Sequence, residues 1–220
     1  MSLPQIVDVF LHVDKHLHNL IGQYGTTTYA ILFGIVFCET GLVFLPFLPG
    51  DSLLFAAGAL SASSADGGAS LNVGLVFGLL TAAAIIGDSV NYSIGRYIGP
   101  KVFDRDDSRW FRQDHLRRTQ AFYDKYGGVT IIIGRFVPII RTFAPFLAGV
   151  AGMSYRRFLA FNVVGAVAWI TSLVYAGYLF GNIPWVKQNL SLIVIGIVIV
   201  SLLPAITTFI RERRSRKNPS

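Results

Sequence analysis

The sequence predicts an all-α integral membrane protein with about three full transmembrane helices and two re-entrant hairpins. Three observations predict this fold class. First, 53% of the 220 residues are hydrophobic and only 14% are charged, against about 25% charged residues in soluble domains. Second, several apolar runs are long enough to cross a hydrocarbon core of ~30 Å. Third, two further apolar runs contain charges and are interrupted by prolines and glycines. A membrane accepts such broken backbone only where protein or a watery cavity covers it.

Residues 1–25 are predicted to form an amphipathic helix that lies at the membrane interface. Their apolar residues recur at helical spacing, and polar residues occupy the other side. Asp8, His12 and His16 recur every four residues, but a solvated polar face explains them better than a metal site. We therefore predict no metal ion and no cofactor. No basic start followed by an uninterrupted apolar core is present, so no cleaved signal peptide is expected.

The first interrupted run, about residues 37–60, is predicted to be a re-entrant hairpin that lines a polar cavity. Its prolines would remove backbone hydrogen bonds from a continuous helix. It carries two carboxylates, Glu39 and Asp51, in otherwise apolar sequence. A charge in hydrocarbon is costly, so both acids are candidate functional residues. The residues predicted to support this hairpin are Pro46, Pro49, Gly50 and Ser52.

The second interrupted run, about residues 128–152, contains two arginines and is predicted to be the second hairpin. Arg135 and Arg141 flank Pro138. Because this proline breaks the strict helical spacing, both guanidinium groups can face one cavity. The residues predicted to support this part of the cavity are Pro138, Thr142 and Pro145.

Three further runs are predicted to cross the membrane: residues 71–98, 158–180 and 189–210. The first of them carries Asp88 and Asn91, which are one turn apart and therefore lie on one face. Two interpretations stay open for this pair. It belongs to the wall of the cavity, or it hydrogen-bonds a neighbouring helix or lies near the headgroups.

A short internal repeat indicates a duplicated unit. The matching strings are Pro46-Phe47-Leu48-Pro49-Gly50 with Pro145-Phe146-Leu147-Ala148-Gly149, and Tyr24-Gly25 with Tyr126-Gly127. Paired interrupted segments are typical of transporters, whose repeats are often inverted. With the three predicted crossings, 15 of the 19 basic residues fall on one side, which makes that side and the tail 211–220 cytoplasmic. The two hairpins then enter from opposite sides, as in an inverted-repeat, transporter-like fold.

Three blocks of this sequence carry a family resemblance. They are Phe37-Cys38-Glu39-Thr40-Gly41 continuing through 47–54, Gly87-Asp88-Ser89-Val90-Asn91-Tyr92 continuing through 95–96, and Gly134-Arg135-Phe136-Val137-Pro138 continuing through 141–145. Together they resemble the DedA family of bacterial inner-membrane proteins, relatives of the VTT-domain lipid scramblases. The resemblance implies a membrane domain over residues 26–210 and a multi-pass protein of the bacterial inner (plasma) membrane. It also implies functional acids at Glu39 and Asp51 and essential arginines at Arg135 and Arg141.

The activity that the resemblance implies is transport driven by the proton motive force, with undecaprenyl phosphate or a phospholipid as the leading cargo. The residues agree with this implication. An arginine stays charged and offers a planar fork of donors to phosphate oxygens. Carboxylates can pair with the arginines in the empty state and exchange protons when desolvated. The expected partners are an anionic lipid, protons and the membrane. Nucleic acid is not expected, because the basic residues flank apolar segments.

Rival functions also fit parts of the sequence. A proton-coupled antiporter of small cations or drugs would use Glu39 and Asp51 but leaves the two buried arginines unexplained. A lipid-phosphate phosphatase would use Ser52 or Thr142, although Ser52 is also placed to cap a helix. A lipid-organising protein would transport nothing. The four charges could also serve only to hold the hairpins together, although buried ion pairs stabilise poorly compared with apolar packing. We expect a transporter rather than an enzyme.

Overall fold

The computed structural model describes residues 25–42, 50–62, 71–103, 126–189, 192–193 and 196–197, and the predicted all-α class is confirmed over these ranges. The helices are α1 (Thr27–Gly41), α2 (Gly50–Ala62), α3 (Val73–Phe103), α4 (Val129–Gly134), α5 (Pro138–Val150), α6 (Tyr155–Ile170), α7 (Ala176–Phe180) and α8 (Pro184–Gln188). A π-helical turn, Thr171–Tyr175, joins α6 to α7.

Within the described residues, two helical stretches are long and apolar enough to cross a membrane. They are Val73–Gly99, with 27 residues, and Tyr155–Phe180, with 26 residues. They correspond to the predicted spans 71–98 and 158–180. Large apolar side chains such as Ile86 and Val164 are about half exposed on them, as expected for surfaces that face lipid. The tail and most of the third predicted span and of the amphipathic segment lie outside the described residues.

Both interrupted runs form a pair of helices with a break between them. In the first run α1 ends at Gly41 and α2 begins at Gly50, while Pro46 and Pro49 lie outside the described residues. In the second run Val137 is extended and Pro138 opens α5, a position where its missing N–H costs nothing. Pro145, in contrast, lies inside α5 without ending it. Re-entry of the two hairpins from the membrane surface stays a prediction.

The chain divides into two compact units. The first unit comprises residues 1–28, 49–76 and 172–220, and the second comprises residues 29–48 and 77–171. In the first unit α2 and α7 cross at two glycines. Gly58 lies against the backbone of the π-turn and α7, and Gly177 lies against the backbone of α2. A Cβ at either glycine would overlap main-chain atoms, so the crossing requires glycine at both positions.

The second unit repeats this contact pattern between α3 and α5. Gly149 of α5 lies against the residues three before and one after Gly95 of α3, and Gly95 lies against the residue three before Gly149. The first unit shows the same offsets: Gly58 of α2 lies against the residues three before and one after Gly177 of α7, and Gly177 lies against the residue three before Gly58. The same offsets on both sides indicate that the two crossings are equivalent contacts of a duplicated unit.

This equivalence corrects the register of the predicted repeat. The sequence match pairs Gly50 with Gly149, but Gly50 opens α2 whereas Gly149 is the last residue but one of α5. The contacts instead equate Gly58 with Gly149, so the register suggested by the Pro-Phe-Leu strings is wrong. The other match is consistent with the structure, because Gly25 and Gly127 both have positive φ, 50° and 59°, shortly before α1 and α4.

An aromatic and aliphatic cluster in the second unit holds α3, α4, α5 and α6 together. Its buried residues are Tyr92, Ile131, Ala148 and Phe158. The rings of Tyr92 and Phe158 stack with centroids 4.4 Å apart. The Tyr92 hydroxyl donates to the Met153 carbonyl, and Arg96 Nη1 donates to that hydroxyl at 2.9 Å. These contacts fix the helices on which the polar residues described next are carried.

Candidate functional site

A buried polar cluster lies within the second unit, and four parts of the chain supply it. It comprises Glu39 and Thr40 from α1, Asp88 and Asn91 from α3, Arg135, Arg141 and Thr142 from the α4–α5 break and α5, and Asn162 and Trp169 from α6. All nine residues are at most 3% exposed. The cluster therefore places two guanidinium groups and two carboxylates inside apolar sequence.

Arg135 occupies the turn between α4 and α5. Its Nη2 donates to Asp88 Oδ2 and to Asn162 Oδ1. Its aliphatic stem passes close to Gly165 of α6, where an added Cβ would lie 3.1 Å from Arg135 Cδ. The break that Pro138 imposes thus directs Arg135 towards α3 and α6, and the small residue on α6 leaves room for its side chain.

Arg141 lies at the end of the first turn of α5. Its Nη2 donates to Glu39 Oε1 at 2.8 Å, and both side chains are almost completely buried. Glu39 lies two residues before the end of α1. Burial of an ion pair costs desolvation energy that its attraction only partly returns, so such a pair is a poor choice for stability alone.

Trp169 is the aromatic neighbour of both arginines. The Arg141 Cζ lies 4.8 Å from the centre of its ring, and the Arg135 Cζ lies 5.9 Å away. A tryptophan face attracts a guanidinium group within about 6 Å. Trp169 and Asn162 were not predicted from the sequence. Asn162 is a polar residue in an apolar run, the same signal that Asp88 and Asn91 give on α3, whereas Trp169 carries no such signal.

Asn91 sets the spacing between the two halves of the Glu39–Arg141 pair. Its Nδ2 donates to the Thr40 carbonyl at 3.2 Å and to the Thr142 carbonyl at 2.7 Å. These carbonyls belong to the residues that directly follow Glu39 and Arg141. One amide group therefore holds α1 and α5 at a fixed separation beside the ion pair.

Several buried polar atoms of the cluster make no hydrogen bond to the described part of the chain. They are Asp88 Oδ1, Asn91 Oδ1, Arg135 Nε and Arg135 Nη1. Buried donors and acceptors in proteins are nearly always paired with protein or water. The cluster thus has unused donors on Arg135 and unused acceptors on α3, which suits a polar ligand or water molecules.

The other predicted site residues have different positions. Asp51 and Ser52 lie in the first turn of α2, which belongs to the first unit, with Asp51 half-buried and Ser52 fully buried. Thr142 is buried and contributes its carbonyl to Asn91. Asp88 and Asn91, whose role the sequence left open, both contact neighbouring helices, and Asp88 is the carboxylate that pairs with Arg135.

Comparison with known proteins places this site in a family. Residues 48–179 match the VTT domain. Protein DedA of Escherichia coli (strain K12) is 53% identical over 210 residues, which cover 96% of this chain and 94% of that protein. The chain belongs to the DedA family. The family resemblance seen in the sequence is therefore confirmed.

Other DedA-family relatives agree with a membrane location. A membrane protein of Mycobacterium tuberculosis (strain H37Rv) is 46% identical over 217 residues, covering 99% of this chain and 92% of the relative. Inner membrane protein YghB of Salmonella typhimurium is 32% identical over 198 residues, covering 86% and 87%. No solved structure matches the chain. Together with the two apolar helices, these relatives identify a membrane protein.

Proposed function

We propose that this DedA-family protein is a flippase driven by the proton motive force, which moves undecaprenyl phosphate or a related anionic phospholipid across the inner membrane. One observation carries the proposal. Arg135 and Arg141, each paired with a carboxylate, lie buried beside the same tryptophan ring. Two guanidinium groups side by side suit the oxygens of one phosphate group.

The proposed cycle exchanges one anion for another at the arginines. In the empty state the carboxylates occupy the guanidinium groups, as Glu39 does at Arg141. A lipid phosphate enters, displaces a carboxylate and takes its place, while the prenyl or acyl tail stays in lipid. The displaced carboxylate takes a proton from the outer side, and the site then opens inward. Asp51, in the first turn of α2, is proposed as a further acid that gates this exchange.

The cluster has features that a purely structural role does not require. Apolar residues of similar volume generally stabilise a buried site at least as well as ion pairs do. Arg135 also keeps two nitrogens without an acceptor in the described ranges, although each such buried donor is costly. Both features are expected of a site that must accept a further anion.

Transport by purified protein tests the proposal. Glu39→Gln and Arg135→Ala should insert in the membrane at wild-type abundance but lose at least about 90% of the flipping rate of a fluorescent lipid phosphate in proteoliposomes under a proton gradient. Arg141→Lys should also be impaired, because a lysine lacks the planar donor fork. The matched control is Arg156→Ala, which removes an exposed arginine at the start of α6 and should transport normally.

Other outcomes would identify a different function. Loss of Glu39→Gln or Arg135→Ala from the membrane would favour a structural role for the charges. A proton flux driven by an added cation, with no movement of lipid, would indicate the antiporter. Release of inorganic phosphate from a lipid pyrophosphate would indicate the phosphatase.

A further inference from the structure

We propose that Asp88 is a second proton-exchanging acid, and that the cluster therefore takes up two protons for each phosphate monoester dianion it binds but one for each phosphodiester. This inference rests on the proposed flippase function. Under it Asp88 takes part in the exchange, and the number of protons taken up follows the charge of the lipid headgroup.

The first step is the charge of the empty cluster. Its four charged residues form two separate ion pairs, Glu39 with Arg141 and Asp88 with Arg135. Because both pairs lie in the second unit and each side chain is at most 3% exposed, solvent can do little to balance an added charge. The four residues sum to zero, and a bound ligand must leave that sum near zero because an uncompensated buried charge is very costly.

The second step is the exchange itself. When a phosphate monoester dianion binds, its oxygens accept the N–H groups of Arg135 and Arg141, and the contacts from these arginines to Asp88 and Glu39 break. Each freed carboxylate takes one proton from water, so two positive arginines then face one doubly negative phosphate. Release of the lipid reverses both transfers. A phosphodiester carries one negative charge, so it displaces one carboxylate and requires one proton.

The third step is the local geometry of Asp88, which suits a group that changes its protonation. Its Oδ2 accepts from Arg135, whereas its Oδ1 has no partner in the described ranges and can receive a proton. Asn162 Oδ1 also accepts from Arg135, so the guanidinium group keeps one acceptor when Asp88 becomes neutral. Asn162 is in turn held by its Nδ2 on the Ile85 carbonyl at 3.1 Å.

The charged surroundings of Asp88 come from two elements. Arg135 from the α4–α5 break and Arg141 from α5 act on it electrostatically. Arg135 also donates to the neutral amide of Asn162, and Arg141 also donates to Glu39 of α1. An anion bound to both arginines therefore competes with Asp88 for these two positive charges.

The experiment counts protons during binding. Full-length protein in detergent is titrated with farnesyl phosphate at pH 8, where this monoester is already a dianion because its second pKa is about 6. The binding enthalpy is measured in several buffers of different ionisation enthalpy, and the slope gives the protons taken up. We expect about two protons for wild type and about one for Asp88→Asn and for Glu39→Gln. Ser93→Ala, an exposed change on the same helix, should keep the wild-type number.

A second ligand keeps the test independent of how well the variants fold. Wild-type protein titrated with a short-chain phosphatidylglycerol should take up about one proton. Equal proton numbers for monoester and diester, or an unchanged number in folded Asp88→Asn, would overturn the role of Asp88 while leaving a lipid-binding site. If neither lipid binds wild type, the proposed function fails, and this inference fails with it.

Discussion

Asn91 shows how much one neutral side chain determines in this cluster. Its amide donates to two buried carbonyls on different helices, each next to a member of the Glu39–Arg141 pair. Asn91→Leu keeps a similar volume but removes both hydrogen bonds between the helices, each with a net contribution of about 0.5–1.5 kcal/mol. We expect the free energy of unfolding to fall by about 1–3 kcal/mol, measured on the purified protein in detergent micelles.

The control for this change is Ser89→Ala on the same helix. The Ser89 hydroxyl donates to the Ile85 carbonyl of its own helix at 2.7 Å, and that carbonyl keeps its helical partner when the hydroxyl is removed. Its loss should change stability by less than about 1 kcal/mol. An Asn91→Leu protein as stable as Ser89→Ala would show that the bridge between α1 and α5 does not support the site.

The sequence singled out three of the four charges of the buried cluster but not how they pair. Glu39, Arg135 and Arg141 could be predicted because a charge in an apolar run is costly and therefore informative. The pairing of Arg135 with Asp88 depends on which faces of α3 and the α4–α5 break meet, and hydropathy carries no such information. Trp169 gave no signal, because tryptophan is also common at membrane interfaces without any binding role.

At the scale of elements, paired glycines set how closely two helices pack, both where α5 crosses α3 and where α2 crosses α7. Gly149→Ala would place a Cβ against the backbone of α3. Backbone cannot move aside as a flexible side chain can, so we expect a loss of about 1–3 kcal/mol in unfolding free energy. The same measurement on Gly58→Ala should give a loss of similar size, because its contacts with the π-turn and α7 repeat those of Gly149 with α3.

Gly78→Ala is the matched control for both changes. Gly78 is exposed on α3, and nothing lies within 4 Å of the Cβ it would gain. The substitution should be neutral or stabilise by up to about 1 kcal/mol, because alanine favours helix. Equal stability of Gly78→Ala and Gly149→Ala would contradict the close crossing.

The positions of the helices along the chain were more predictable than the register of the internal repeat. Length and hydropathy predicted α3 and the stretch from α6 to α7, because a span needs about 20 apolar residues. Proline predicted the break before α5 but not the continuous helix around Pro145, since helices in apolar surroundings tolerate proline when neighbouring groups compensate. The repeat register failed because two five-residue strings that match at four positions do not show which residues contact another helix.

At the scale of the whole molecule, the uneven distribution of basic residues predicts how the chain crosses the membrane. The Tyr155–Phe180 stretch separates the exposed residues Ser154 and Asn182. The charge bias predicts that residues 153–157 and the C-terminal tail lie in the cytoplasm. In a Cys38→Ala background, Ser154→Cys should react with a membrane-impermeant maleimide only after the inner membrane is permeabilised. Asn182→Cys should react in intact spheroplasts.

The two cysteine variants are controls for each other, because they are expected to label from opposite sides of the membrane. Labelling of both positions from the same side would contradict a span between them. The reverse pattern would keep the span but place the C-terminus outside.

The π-helical turn Thr171–Tyr175 has a consequence for the crossing of α2 and α7. Gly58 of α2 lies against the Val174 carbonyl inside this turn, and Gly177 of α7 lies against Phe55 of α2. A π-turn holds one residue more than an α-helical turn and is wider. Deleting one residue from the turn would restore α-helical geometry and displace the Val174 carbonyl relative to Gly177, so that the two glycine contacts with α2 would no longer form together.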